Sequence, residues 1–237
     1  MTKEKYVKPD IVRLNELKIK DINWVLDTLN VSTEHLDMIE KQSIVIKEVC
    51  KRRRFVYDIK EKISDNVIIT QDEEILKSDI YRVVAKDGFS YAMKRYPHTM
   101  EIGDFCNELE MHIRANIVNV APLIIDYDIK KRYIVFELMK QNLFDVIQDN
   151  KGVIAKSVQN EIIAIFKGLD KIGVFHANPS PLNFMYDEFN KLKMIDFYYA
   201  RPATKNKTNI TTSPTYFNLK LRGFFPDIEI KQISKYI

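Results

Sequence analysis

Glycine is scarce in this chain, with six among 237 residues, at Gly88, Gly103, Gly152, Gly168, Gly173 and Gly223, and none in the first 87. No two stand close enough to form a G-x-G pair, so a Walker phosphate loop and a dinucleotide fingerprint are both excluded. Cysteine is nearly absent. Cys50 and Cys106 are too few for a disulfide scaffold, which a chain of this size does not need. That usage leads us to expect a reducing, intracellular setting, cytoplasmic by default. Long apolar runs are missing as well. Lys, Asp, Glu or Asn interrupts each one before the roughly 18 residues a membrane helix requires. No apolar core follows the charged start MTKEKYVKPD, as a signal peptide would need. No membrane association is expected.

What is present suits an ordinary core: 46% hydrophobic and 30% charged residues, enough for one large domain or two small lobes around a cleft. The net charge of +4, from 37 basic and 33 acidic residues, is small and mostly interleaved. The one basic block, Lys51, Arg52, Arg53 and Arg54, reads first as a solvated helix face and second as a contact for phosphate, nucleic acid or an acidic partner. Without an aromatic-interleaved stripe, nucleic acid is not expected as the main ligand. The abundance of Lys, Ile and Asn fits an AT-rich genome, such as those of some large DNA viruses or intracellular parasites, and says nothing of mechanism.

Residues 1–62 read as a charged helical layer. Ile19, Ile22, Val25, Leu26 and Leu29 recur at three- and four-residue spacing, and Ser32 to His35 offer a cap before Leu36, Met38 and Ile39. Residues 44–63 mix Val, Ile and Phe with the basic block. From Asn66 the pattern changes to strands. Val67 to Thr70 is a short apolar run followed by Asp72, Glu73 and Glu74. Two alternating runs then flank Lys86-Asp87-Gly88, a strong hairpin signal. Helices are predicted over 102–115, where Phe105, Leu109 and Ile113 are spaced by four, and over 142–148 and 157–172, the last ending at Gly173. Strands are predicted at 123–125, 133–136, 184–186 and 192–195.

Four motifs lie in order along this pattern: Tyr91-Ala92-Met93-Lys94 on a strand, Glu108 on a helix, His176-Ala177-Asn178 with Asn183 in a loop, and Asp196-Phe197-Tyr198 in a turn. Over roughly residues 66–200, their order and spacing resemble the protein-kinase superfamily. The resemblance implies an α+β, two-lobed fold. An N-terminal helical extension (1–62) would precede a small antiparallel-sheet lobe (63–138) and a reduced helical large lobe (139–237).

It also implies roles. Lys94 would hold the α- and β-phosphates of ATP and pair with Glu108, chosen over Glu110 because it shares the helix face of Phe105 and His112. Glu110 becomes an ordinary surface charge. Phe136 would guard the back of the nucleotide pocket, and the backbone from Glu137 to Met139 would meet the adenine edge. Asn183 and Asp196 would hold Mg²⁺, as oxygen ligands suit that ion.

The sequence also departs from the family. Asn178 stands where the family has its catalytic aspartate, and an amide cannot take the substrate's proton at neutral pH. Ser180 replaces a lysine that helps neutralise the transferring phosphate. The phosphate-covering loop, aligned to residues 72–80, lacks glycine and carries carboxylates. Tyr198 replaces a glycine after Asp-Phe, which reduces flexibility. Only 41 residues follow Asp196 in a chain of 237, and no Ala-Pro-Glu-like motif is among them, so the large lobe is expected to be truncated. Ser213 to Tyr216 read as a polar surface loop rather than a phosphosite.

The reading that follows is a pseudokinase acting as a binding or regulatory module with a protein partner, taking ATP and Mg²⁺ if nucleotide binding is retained. The alternative is an active atypical Mg-ATP-dependent phosphotransferase, Ser/Thr kinase-like or nucleotidyl-transferring. A third reading makes the resemblance incidental, the helical first 62 residues defining a structural or nucleic-acid-associated protein.

Overall fold

A computed structural model describes residues 26–27, 32, 34, 36–52, 56–69, 75–86, 88–151, 154–210 and 212. Ile19, Ile22, Val25 and Leu29 lie outside the described residues, as do Arg53, Arg54, Asp72 to Glu74 and Ser213 to Tyr216. Among those described, no helix is long and apolar enough to cross a membrane.

The first full helix, α1 (Met38–Arg52), opens with a reciprocal cap. The Asp37 carboxylate accepts from Glu40 N–H at 2.8 Å, and the Glu40 carboxylate accepts from Asp37 N–H at 2.9 Å. Two otherwise orphaned N–H groups are thereby satisfied. Asp37 is therefore the cap of this helix, while Thr33 and His35 of the expected cap lie outside the described residues. The helical reading of 1–62 also stops short, because Tyr57–Ile69 is a strand.

That strand, β1, pairs with β2 (Ile75–Ala85), and the sheet continues with β3 (Ser90–Arg95), β4 (Ile124–Asp128) and β5 (Tyr133–Glu137). All pairings are antiparallel in the order β1-β2-β3-β5-β4. The β2–β3 turn closes at Gly88, whose φ of +83° an L side chain rarely adopts, with Gly88 N–H donating to Ala85 C=O. Alternation then sorts β3. Tyr91 and Met93 join Val83, Ile125 and Val135 in a cluster on one face, while Ala92 and Lys94 turn to the other.

Helix α2 (Ile102–Ile117) crosses that second face. Its Phe105, Leu109 and Ile113 pack with Tyr96, Ile124 and Ile134, while Met111 and Ala115 enter a separate, larger core. One helix thus has a side in each lobe. The larger core gathers α3 (Leu143–Asp149) and α4 (Lys156–Lys171) around Phe166, Phe184, Met194 and Phe197. Asn142 caps α3 by accepting from Asp145 N–H at 2.8 Å. A 3₁₀ turn (Pro181–Asn183) and the short strands β6 (Gln141–Asn142), β7 (Val174–Phe175), β8 (Phe184–Tyr186), β9 (Leu192–Met194) and β10 (Arg201–Pro202) complete this half. The architecture is α+β and two-lobed, as expected.

Candidate functional site

Between the lobes lies a cleft of about 680 Å³. Ile63, Ser64 and Ile80 of the β1–β2 hairpin line it from above, Ala92 and Lys94 come from β3, and Asn178, Asn183 and Asp196 come from the helical half. A bulge between Lys62 and Ser64 places Ile63 there, so β1 itself, and not only residues 72–80, contributes to the roof.

Lys94 is the centre of charge. Its Nζ lies 2.7 Å from Glu108 Oε1 and 2.7 Å from Asp196 Oδ1, and the lysine is 3% exposed. Burial works against its charge, but Asp196 and Glu108 outweigh burial and hold the ammonium above its ordinary pKa. Two carboxylates thus share one cation, Glu108 buried and Asp196 partly exposed to the cleft. Burial, reinforced by Asp196, pushes Glu108 upward, with Lys94 pulling the other way. Tyr96, 3% exposed, sits beside this group with Lys94 Nζ 5.0 Å from its ring centre. Burial and the Glu108 charge raise its phenol. Sequence reasoning missed Tyr96, although its position two residues after Lys94 puts it on the same face of the chain.

Phe197 anchors the turn that carries Asp196. It is fully buried between His112 and His176, with ring centres 5.2 and 4.8 Å away. His112 Nε2 bonds Pro122 C=O at 2.8 Å and His176 Nε2 bonds Ile195 C=O at 2.9 Å. Desolvation by burial lowers both imidazoles to about 4, so both are neutral at physiological pH. Asp196 has φ of +64° and Ala177 +62°, two non-glycine residues in the left-handed region on either side of the site. Tyr198 is not among the residues with positive φ, and it packs with Tyr199 at 5.0 Å. The turn places its left-handed residue at Asp196 and does not call for glycine at 198.

The loop after His176 is tied to itself. Asn183 Nδ2 donates to Asn178 C=O at 2.9 Å, which leaves the Asn183 Oδ1 carbonyl as the atom suited to a cation. Phe136, Leu138 and Met139 line the cleft where the lobes join. Glu137 does not. Its N–H donates to Leu123 C=O and its carboxylate accepts from Leu123 N–H at 3.3 Å. Glu110 is also not the plain surface charge expected: its carboxylate pairs with Lys47 of α1 and, at 2.9 Å, with Arg114. Among the described residues, no group of three or more His, Cys, Asp or Glu is arranged to hold a metal by itself. Asp196 and Asn183 both line the cleft, and their side-chain oxygens are of the kind that could hold Mg²⁺.

Residues 76–218 match the family pattern described as protein kinase domain. The chain belongs to the protein kinase family. It is 35% identical over 79 residues to Mitogen-activated protein kinase 15 of Oryza sativa subsp. japonica, covering 32% of this chain and 16% of that protein. It is 33% identical over 91 residues to Serine/threonine-protein kinase MAK of Mus musculus, covering 37% of this chain and 14% of that protein. The matches thus span 14% to 16% of these curated relatives' own lengths.

Proposed function

We propose that this chain binds a magnesium nucleotide in the interlobe cleft but transfers phosphate poorly, and serves as a binding or regulatory module toward a protein partner. One observation carries the reading. Among the described residues lining the cleft the only carboxylates are Glu108 and Asp196, both bonded to Lys94, and Asn178 stands in the loop where a general base is needed. Neither committed carboxylate is placed to orient a substrate hydroxyl and accept its proton, and an amide cannot take that proton. Ser180 supplies no second cation for the transferring group.

Nucleotide binding rests on the remaining residues. Lys94 would meet the phosphates, with Glu108 holding its ammonium in register. Phe136, Leu138, Met139, Ile80 and Ala92 offer apolar surface for a base. Asp196 and Asn183 would hold Mg²⁺, which when bound would offset the negative charge of the phosphates. The second reading, an active atypical phosphotransferase, is favoured by this same intact geometry, because phosphoryl transfer depends chiefly on positioning and charge. An intracellular setting belongs to both readings.

The test is calorimetric titration with ATP, with and without Mg²⁺, on the full chain and on Lys94→Ala and Asp196→Ala. Metal-dependent binding lost in both variants is expected. No binding at millimolar nucleotide would remove the nucleotide part of the reading. Phosphate transfer at about 1–100 s⁻¹, lost on Lys94→Ala, would replace impairment with the second reading.

A further inference from the structure

Helix α1 lies ahead of residue 76, where the family pattern begins, yet it is built into the site's support. It packs against α2 and β4. Ile46, 1% exposed, inserts among Tyr96, Phe105 and Leu109, the cluster beneath the Lys94–Glu108 pair. Toward the other end of α1, Ile39 packs against the larger core of the helical lobe. A single helix therefore touches the core of both lobes.

Two polar contacts fix its position, one to α2 and one to β4. Lys47 Nζ pairs with Glu110, and Tyr127 Oη donates to the Lys47 carbonyl at 3.2 Å. Glu110 and Glu108 are two residues apart on α2, about 200° around the helix, so they point to opposite sides. Holding Glu110 from outside sets the rotation that aims Glu108 inward at Lys94. The Glu110 carboxyl responds to that contact. Burial raises its pKa, but Lys47 and Arg114 outweigh burial and bring it below the usual carboxylate range.

We infer that α1 is a built-in strut for the glutamate-bearing helix, with Lys47 and Ile46 as positioning residues that act on the nucleotide site through α2. The consequence for nucleotide rests on the binding function proposed above. The mechanical claim does not. The strut supplies from within the chain the contact that sets how far Glu108 reaches, so the cleft arrives already assembled without a second protein.

The experiment uses the full chain and two readouts. The first is amide hydrogen exchange in ligand-free protein. Lys47→Met and Ile46→Ala should speed exchange over residues 105–113 while leaving α4 unchanged, and Lys47→Arg should restore the wild-type rate. Lys47 is partly exposed, so Lys47→Met keeps the fold even if Ile46→Ala does not. Unchanged exchange over 105–113 in Lys47→Met overturns the strut. The second readout is Mg-ATP affinity. Lys47→Met should lower it about twofold to fivefold, the range of a partly exposed ion pair, and should add nothing in a Glu108→Gln background. An equal drop in both backgrounds overturns action through Glu108. If the wild type binds no Mg-ATP, the proposed function fails while the exchange result still decides the strut.

Discussion

The N–H of His176 donates to Oδ1 of Asn209 at 2.9 Å, joining residues 33 positions apart. Asn209 is 0% exposed, and its Nδ2 donates to Asp170 Oδ1 at 2.7 Å and Val174 C=O at 2.6 Å. Its own N–H also reaches Asp170 Oδ1 at 2.6 Å, and Ile210 N–H reaches Asp170 Oδ2 at 3.0 Å. One amide thus ties the end of α4, strand β7 and the start of the Asn178 loop together.

Asn209→Ala should therefore destabilise the fold by about 3 kcal/mol or more, because it strands buried groups rather than removing a pair of partners. Asn209→Asp keeps the acceptor for His176 but sets a second carboxylate against Asp170, so it should not restore stability at neutral pH. Chemical denaturation measures both. A loss below about 1 kcal/mol in the alanine variant would contradict the role drawn for this residue.

Lys94→Met should cost about 3–5 kcal/mol, since it leaves the buried Glu108 and the part-buried Asp196 without their cation. Adding Asp196→Asn should return part of that stability, because one uncompensated charge is removed. Denaturation midpoints of the single and double variants test this; a double variant less stable than Lys94→Met would refute it.

Asn178→Asp should raise phosphate transfer by roughly 10²-fold or more if the missing base is the main defect. The substitution leaves intact the bond from Asn183 to the backbone carbonyl at 178. Radiolabel transfer to a generic protein substrate provides the measurement, with Lys94→Ala in the same background as the control. No gain would point to Ser180 or the roof as the stronger obstacle.

Stability should fall as pH drops below about 6.5. His112 and His176 stay neutral in the folded protein down to about 4, whereas in the unfolded chain they bind protons from 6.5. The unfolded state therefore holds more protons across this window, and folding weakens from 6.5 down through 4. By pH 4 and below, each histidine lowers stability by on the order of 3 kcal/mol relative to neutral pH. His112→Gln should flatten the stability–pH curve by up to one proton between 4.5 and 6.5; an unchanged slope would rule out the assignment.

Much of the local order was legible in residue spacing. Phe105, Leu109 and Ile113 repeat every four residues, and the same helical phase put Glu108 inward. The strand and helix motifs around Gly88 and Gly173 were readable because each rests on backbone preference within a few residues. Strand β1 was not. Bulges between Ile59 and Glu61 and between Lys62 and Ser64 break its period of two, so 57–63 lost the alternation that marks a strand. Asn209 was not readable either. An Asn among Lys, Thr and a second Asn resembles a solvated loop, and only Asp170, Val174 and His176, contributed from elsewhere, give it reason to be buried.

The sequence by itself determined the kinase resemblance and the residue types of the cleft, including an amide at 178, because motif order and side-chain chemistry are written along the chain. Tertiary structure alone decided that Lys94 serves two carboxylates, one of them 102 positions away, and that Glu110 faces Lys47. Such contacts depend on how helices and sheet pack across long loops, and no local periodicity encodes that geometry.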